Sequence, residues 1–295
     1  MTMELYEMKA FLLLASELHF KKASFRMHLS QPAFSRLIQR LEEKCGGALF
    51  VRNRRKVFLT EAGRTLLPLA ERIVRETQTA LDRMHEVNEG KAGALRIGFG
   101  IASVCDILPR AILRFRKAFP LVELSMRDMS TPSQIAMLQR GEIDLGIVRF
   151  PVLQPGLDGF PLFDERLVLA SSVSFPFHSR QGLAGLSDAP FVILPRNVST
   201  TFHDHVMAVC RSAGFSPRVV QEAGELFTIL NLVRAGLGVS LVPKSASKMN
   251  VPGVNYHNIE GEVAQWMIGP VWKMDSEKRI LITRFCDVLK AVVRK

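Results

Sequence analysis

The sequence predicts an α plus α/β chain: a short helical segment closed by a strand pair, one long helix, then alternating strands and helices over the rest of its 295 residues. Three observations predict it. Residues 1–65 hold three stretches of helical apolar spacing followed by two apolar strands around a basic turn. Residues 66–88 carry a seven-residue apolar repeat. From residue 94 onward the apolar pattern switches repeatedly between strand and helix periods.

At 295 residues the chain exceeds one ordinary domain, and its 47% apolar and 23% charged composition is that of a soluble globular protein. No apolar run spans a bilayer, and the N-terminus lacks the basic and apolar regions of a signal peptide. A cytoplasmic protein with no membrane partner is expected. Cys45, Cys105, Cys210 and Cys286 form no CxxC pair, which argues against a zinc site or a dithiol redox centre. Net charge is +11, and residues 1–64 hold twelve Lys/Arg against six Asp/Glu. Over half the excess therefore sits in about a fifth of the chain, which suits a polyanion better than a uniformly solvated surface does.

Leu5, Met8, Phe11, Leu12 and Ala15 predict a helix over 5–17, and a second spans Phe20 to Met27. His28 and Leu29 make a turn. Ser30 caps a third helix with Pro32 in its first turn, and Gly46 and Gly47 end it. Phe34, Leu37, Ile38 and Leu41 face inward, leaving Gln31, Ser35, Arg36, Gln39 and Arg40 on the other side. Residues 49–60 then pair two apolar strands around Arg52, Asn53, Arg54, Arg55 and Lys56. A polar-faced third helix after a short turn, followed by a basic hairpin, is a winged helix-turn-helix. Its Ser, Gln and Arg side chains suit base edges and phosphates, and a wing arginine suits the minor groove.

The stretch from Ser30 to Gly63, SQPAFSRLIQRLEEKCGGALFVRNRRKVFLTEAG, resembles the DNA-binding domain of the LysR family of transcriptional regulators, whose pattern runs SQPAxSxxIxxLEExxGxxLFxRxxRxxxLTxAG. Departures are Ser24 in place of an alanine and Cys45 and Gly47 in place of larger apolar residues. The resemblance implies that Gln31, Pro32, Ser35 and Arg36 touch double-stranded promoter DNA from the third helix, and Arg52 and Arg54 from the wing. Arg40 joins this face by its position.

Between Glu61 and Asn88 the only proline is Pro68, a candidate kink or boundary. Leu66, Ala70, Ile73, Thr77, Ala80, Met84 and Val87 form a heptad seam. The bland reading is packing on its own domain. Self-association is favoured, because such DNA-binding units work as dimers. Residues 89–93 read as a hinge.

Beyond it, strands at 94–99, 122–126 and 145–148 alternate with helices at 103–119 and 132–140, implying a parallel sheet with helices on both faces. Later strands are expected at 167–170, 191–194, 218–221, 239–242 and 265–271, with helices at 201–213, 226–235 and 276–292. GxSxG, P-loop and HExxH motifs are absent, so no catalytic residues are expected. His203 and His205 lack enough partners for a metal site, and no cofactor is called for. Ligands in open α/β sheets settle at strand carboxyl ends, here 100–103, 130–131, Arg149, 199–202 and 222–225. Ser103, Thr131 and Thr200 are equally readable as ordinary helix caps.

The LysR resemblance continues through Leu95–Gly98, Leu108–Arg110, Gly141–Gly146 and Leu232–Pro243, and so covers essentially the whole chain. It implies an effector domain similar to periplasmic binding proteins, with two subdomains joined by two crossovers. It places a small-molecule effector at Ala102, Ser103, Ser130, Thr131, Arg149, Thr201, Phe202 and Glu225. Domain boundaries follow as 1–65 for the DNA-binding unit, 66–93 for the linker and hinge, and 94–295 for the effector domain. Within it, subdomain I takes about 94–163 plus 268–295 and subdomain II about 164–267. The segment Thr201–Met207 is similar to the branch sensing aromatic-degradation intermediates, although Ala102 stands where that branch commonly has a hydroxyl. Arg149 suits a carboxylate effector. The resemblance further implies a tetramer of two dimers and admits RNA polymerase as a partner. The alternatives are a small-molecule binding protein without DNA recognition, opposed by the intact 30–40 face, and an enzyme on the α/β domain, opposed by the missing nucleophile–base set.

Overall fold

The computed structural model describes residues 2–53, 56–177, 182–259 and 264–294, and the chain divides into two compact units, Met1–Asn88 and Glu89–Lys295.

In the first unit, helices α1 (Leu5–Glu17), α2 (Phe20–Arg26) and α3 (Gln31–Cys45) precede the antiparallel strands β1 (Phe50–Asn53) and β2 (Lys56–Leu59) and the long helix α4 (Glu61–Asn88). The signals that set these limits are local. The Ser30 hydroxyl accepts from the Ala33 amide at 3.4 Å, Pro32 lies in the first turn of α3, and Gly46 closes it at φ +75°. His28 takes a left-handed φ of 55° in the turn between α2 and α3. The core joins Met8, Phe11 and Leu14 of α1 to Ala23, Phe34, Leu37, Ile38, Leu41, Leu49 and Phe50. Phe11 and Phe34 are fully buried, and truncating either to alanine is worth about 3–5 kcal/mol.

Helix α4 runs unbroken through Pro68, which is neither a boundary nor an end. Its seam splits in two. Leu66 and Ala70 pack into the core of their own unit, while Ile73, Met84 and Val87 are exposed. The helix therefore belongs with the first unit, and the separate linker expected from residue 66 merges into it.

The second unit opens on β3 (Ala92–Phe99), which begins inside the expected hinge. There follow α5 (Ile101–Val104), α6 (Ile107–Ala118), β4 (Leu121–Asp128), α7 (Thr131–Arg140), β5 (Leu145–Arg149), β6 (Leu157–Gly159) and β7 (Phe163–Ser172). The chain continues with β8 (Pro190–Ile193), α8 (Thr200–Ser212), β9 (Arg218–Glu222), α9 (Leu226–Arg234), β10 (Ser240–Pro243), β11 (Val254–Asn258), β12 (Gln265–Lys273) and α10 (Arg279–Val293). The main sheet runs β10-β7-β12-β5-β3-β4, with β11 on β7 and β6 on β12.

The parallel pairing expected from the strand–helix alternation over 94–148 holds for β3, β4 and β5, and the sheet as a whole is mixed. β3 pairs in parallel with β4 and β5, but β12 is antiparallel to both β5 and β7, and β7 is antiparallel to β10 and β11. The cause is the path of the chain. β7 starts beside β12 at Phe163–Arg166 and finishes beside β10 and β11 at Leu167–Ser172; β12 makes the return journey. A strand that returns across a sheet meets its neighbours antiparallel. The helix expected over 103–119 is also two, because the turn at Cys105 and Asp106 separates α5 from α6.

Helices α6 and α10 close the core beside β3 and β5, with the Phe115 and Phe285 rings 5.1 Å apart. Asp144 ties three segments together. It accepts from Arg96 Nη2 at 2.7 Å and from Lys278 Nζ at 3.0 Å, joining β3, the entry to β5 and the approach to α10. Burial pushes its carboxyl up, but Arg96 and Lys278 outweigh that and hold it below the ordinary value.

Candidate functional site

Each unit carries one candidate site. In the first, α3 buries Phe34, Leu37, Ile38 and Leu41 and leaves Gln31, Pro32, Arg36, Gln39 and Arg40 exposed, with Ser35 half-buried. Among the described residues neither Arg36 nor Arg40 is in an ion pair, so both present their charge outward. Lys21 and Lys22 are exposed on α2. Arg52 sits in β1 opposite Val57 by backbone register, and Arg54 lies outside the described residues.

The α3 frame is set by a buried ion pair. Lys44 Nζ lies 2.7 Å from Glu7 Oε1, and the Glu7 side chain is 1% exposed. Glu7 also accepts from the Glu4 amide at 3.0 Å, capping α1. Burial raises the Glu7 carboxyl, but the Lys44 and Glu4 bonds together hold it below its ordinary value.

In the second unit a cavity of about 360 Å³ opens between the half built on β3, β4 and β5 and the half built on β8, α8 and α9. All eight sequence-predicted effector positions, Ala102, Ser103, Ser130, Thr131, Arg149, Thr201, Phe202 and Glu225, line it. Four helix N-termini converge there. Gly100, Ser130, Ser199 and Glu225, the cap residues of α5, α7, α8 and α9, are all in the lining, and none makes a side-chain capping bond. The caps are thus the residues just before Thr131 and Thr200, and Ser103 lies inside α5. The first-turn amides of the longer helices and their dipoles bring positive potential to the cavity.

Arg149 dominates the lining. Its amide donates to Thr131 Oγ1 at 3.3 Å, Nη1 donates to the Thr201 carbonyl at 3.3 Å, and Nη2 lies 2.7 Å from His205 Nδ1. Its guanidinium stands over the Trp266 ring at 5.0 Å, and His205 meets the same ring edge-on at 5.0 Å. Because the guanidinium only donates, His205 accepts through Nδ1 and carries its proton on Nε2. Burial, and then the Arg149 charge, pull His205 down to about 4, so it is neutral at physiological pH. Its Nε2 is buried with no partner among the described residues. Burial also lowers Arg149 itself, and no carboxylate pairs with it among the described residues. A partly buried guanidinium held by neutral groups is a site waiting for an anion.

A wider groove of about 740 Å³, walled by α7 and residues 150–154, shares Thr131, Arg149 and Thr201 with the cavity. Sequence reasoning missed Asp128, Val198 and Trp266 in the lining, and it set His205 aside. Asp128 was within reach of the strand-end rule, since it closes β4. Trp266 was not, because it arrives on β12 from a distant part of the chain. Among the described residues no group of His, Cys, Asp and Glu is placed to hold a metal ion, and no helix is long and apolar enough to cross a membrane.

Residues 5–64 match the family model described as the bacterial regulatory helix-turn-helix protein, lysR family, and residues 88–294 match the LysR substrate binding domain. The chain is 35% identical over 280 residues to the uncharacterized HTH-type transcriptional regulator YnfL of Escherichia coli, covering 92% of this chain and 93% of that one. It is 35% identical over 290 residues to the HTH-type transcriptional regulator TdfR of Cupriavidus pinatubonensis, covering 98% of each. Among solved structures, full-length CbnR in complex with its target DNA is similar at a TM-score of 0.83 and 26% identity, covering 99% of this chain and 100% of that one.

Proposed function

The chain belongs to the LysR family, a DNA-binding transcriptional regulator with an effector-binding domain and not an enzyme, and on that premise we propose how its two sites divide the work. Helix α3 enters the major groove of promoter DNA with Gln31, Pro32, Ser35, Arg36 and Arg40, and the wing brings Arg52 and Arg54 to the backbone or minor groove. The cytoplasm is the compartment where such DNA is met. A small carboxylate occupies the cavity, its anionic group on Arg149 and its body against Ala102, Ser103, Ser130, Thr131, Thr201, Phe202 and Glu225. The exposed half of the α4 seam pairs two protomers, and two such dimers make a tetramer that RNA polymerase meets at the promoter. Effector control requires that the carboxylate bind two arrangements of the oligomer with different affinity.

The observation that carries the ligand assignment is the Arg149 guanidinium, partly buried at the meeting of four helix N-termini with no carboxylate partner among the described residues. A thermal-shift screen of small carboxylates on the full chain tests it. Binders should raise the melting temperature of the wild type and lose at least about tenfold in affinity in Arg149→Ala, the scale of a charge-assisted bond. Equal shifts in both proteins would remove Arg149 from the site.

A further inference from the structure

The effector cavity carries charges of both signs. Arg149 supplies the positive one. Asp128 ends β4 and Glu225 caps α9, so the two halves of the domain each bring one carboxylate to the same cavity. Neither is in an ion pair among the described residues. Burial and then the Glu225 charge raise the Asp128 carboxyl, and Arg149 is not among the charges acting on it. The same cavity is also lined by the apolar side chains of Ile101, Val198, Phe202, Trp266 and Ile268.

A dicarboxylate would satisfy Arg149 and press its second charge toward two like charges. A monocarboxylate would leave the Asp128 and Glu225 charges uncompensated in a cavity it has just dried, where repulsion is strongest. Two carboxylates without a third ligand do not make a metal site among the described residues. Resting on the reading of this cavity as the effector site, we propose that the effector is an amino carboxylate: its carboxylate docks on Arg149 and its ammonium bridges Asp128 and Glu225 across the cleft. The apolar spacer between its charges lies along Phe202 and Trp266. The ammonium, a compact cation with three donors, converts the repulsion between the two carboxylates into attraction, so binding and closure of the cleft are coupled.

The test is calorimetric titration of the full chain with 4-aminobutanoate, 5-aminopentanoate and 6-aminohexanoate, against pentanoate and glutarate at matched ionic strength. At least one amino carboxylate should bind about tenfold or more tighter than pentanoate and glutarate. Asp128→Asn with Glu225→Gln should erase that preference while the protein stays folded, since both positions are exposed. Pentanoate or glutarate binding as tightly as every amino carboxylate, or a preference that survives the double substitution, would overturn the proposal. In those cases the carboxylate-binding reading stands if Arg149→Ala still weakens the acids that bind. If no carboxylate binds the wild type, both readings fall.

Discussion

Arg149, proposed above to bind a carboxylate, shows how much of a side chain's character is set by its surroundings. Its chemistry was legible in the sequence, as a cation at the end of a predicted strand, but its surroundings were not. His205 on α8 and Trp266 on β12 hold it in place, and both are remote in sequence. Paired with His203 at a helix start, His205 read as a surface or hydrogen-bonding histidine; the structure shows the second, with α8 packing it inward against Arg149. The Glu7–Lys44 pair was invisible for the same reason, since 37 residues separate its partners. It carries a pH prediction. A carboxyl whose folded value lies below its ordinary 4.5 stabilises the fold fully above that value and loses the contribution as pH falls through the folded one. The urea midpoint of the first unit should therefore drop on acidification below about pH 4.5, and Glu7→Gln should be less stable at pH 7 with a flatter acid limb. Lys44→Met, which strands the buried carboxylate, should cost about 2–3 kcal/mol at neutral pH. An unchanged midpoint in Lys44→Met would mean the pair stabilises nothing.

At the scale of elements, those with strong local signals were the most legible. α1 starts where its apolar spacing places it and α3 where its cap does, and the eight positions expected to hold an effector line one cavity. Strand direction was not legible, because it depends on where the connecting chain goes, and β7 and β12 run antiparallel across the sheet. β6 is a three-residue strand and β11 a short polar one, and neither carries a periodic signal long enough to find. The α4 seam was legible as a pattern but ambiguous in meaning, and the structure divides it. Ala70 is fully buried within the unit, whereas Met84 and Val87 are 58% and 50% exposed. If the exposed half pairs protomers, Met84→Glu should halve the sedimenting mass without lowering the melting temperature. Ala70→Asp, by contrast, should unfold the unit. An undiminished oligomer in Met84→Glu would place the self-association surface elsewhere.

For the whole molecule, the two units carry separate chemistry: an outward basic face on α3 and an inward cavity closed by charged groups of both signs. Each was foreshadowed by the same principle, that polar and charged residues left over after the core is filled mark where a partner binds. Regulation demands that the two be coupled yet distinguishable, so a substitution on α3 should change DNA affinity and leave ligand binding intact. The most direct measurement is the binding isotherm of the full chain on the DNA upstream of its own coding sequence, compared between wild type and Arg36→Ala at fixed salt. Losing one contact that reads a base or grips a phosphate should weaken binding by about 1–3 kcal/mol, or roughly fivefold to 150-fold. The melting temperature and the carboxylate response should be unchanged. An Arg36→Ala isotherm that overlays the wild type would contradict the assignment of α3 as the DNA-reading helix.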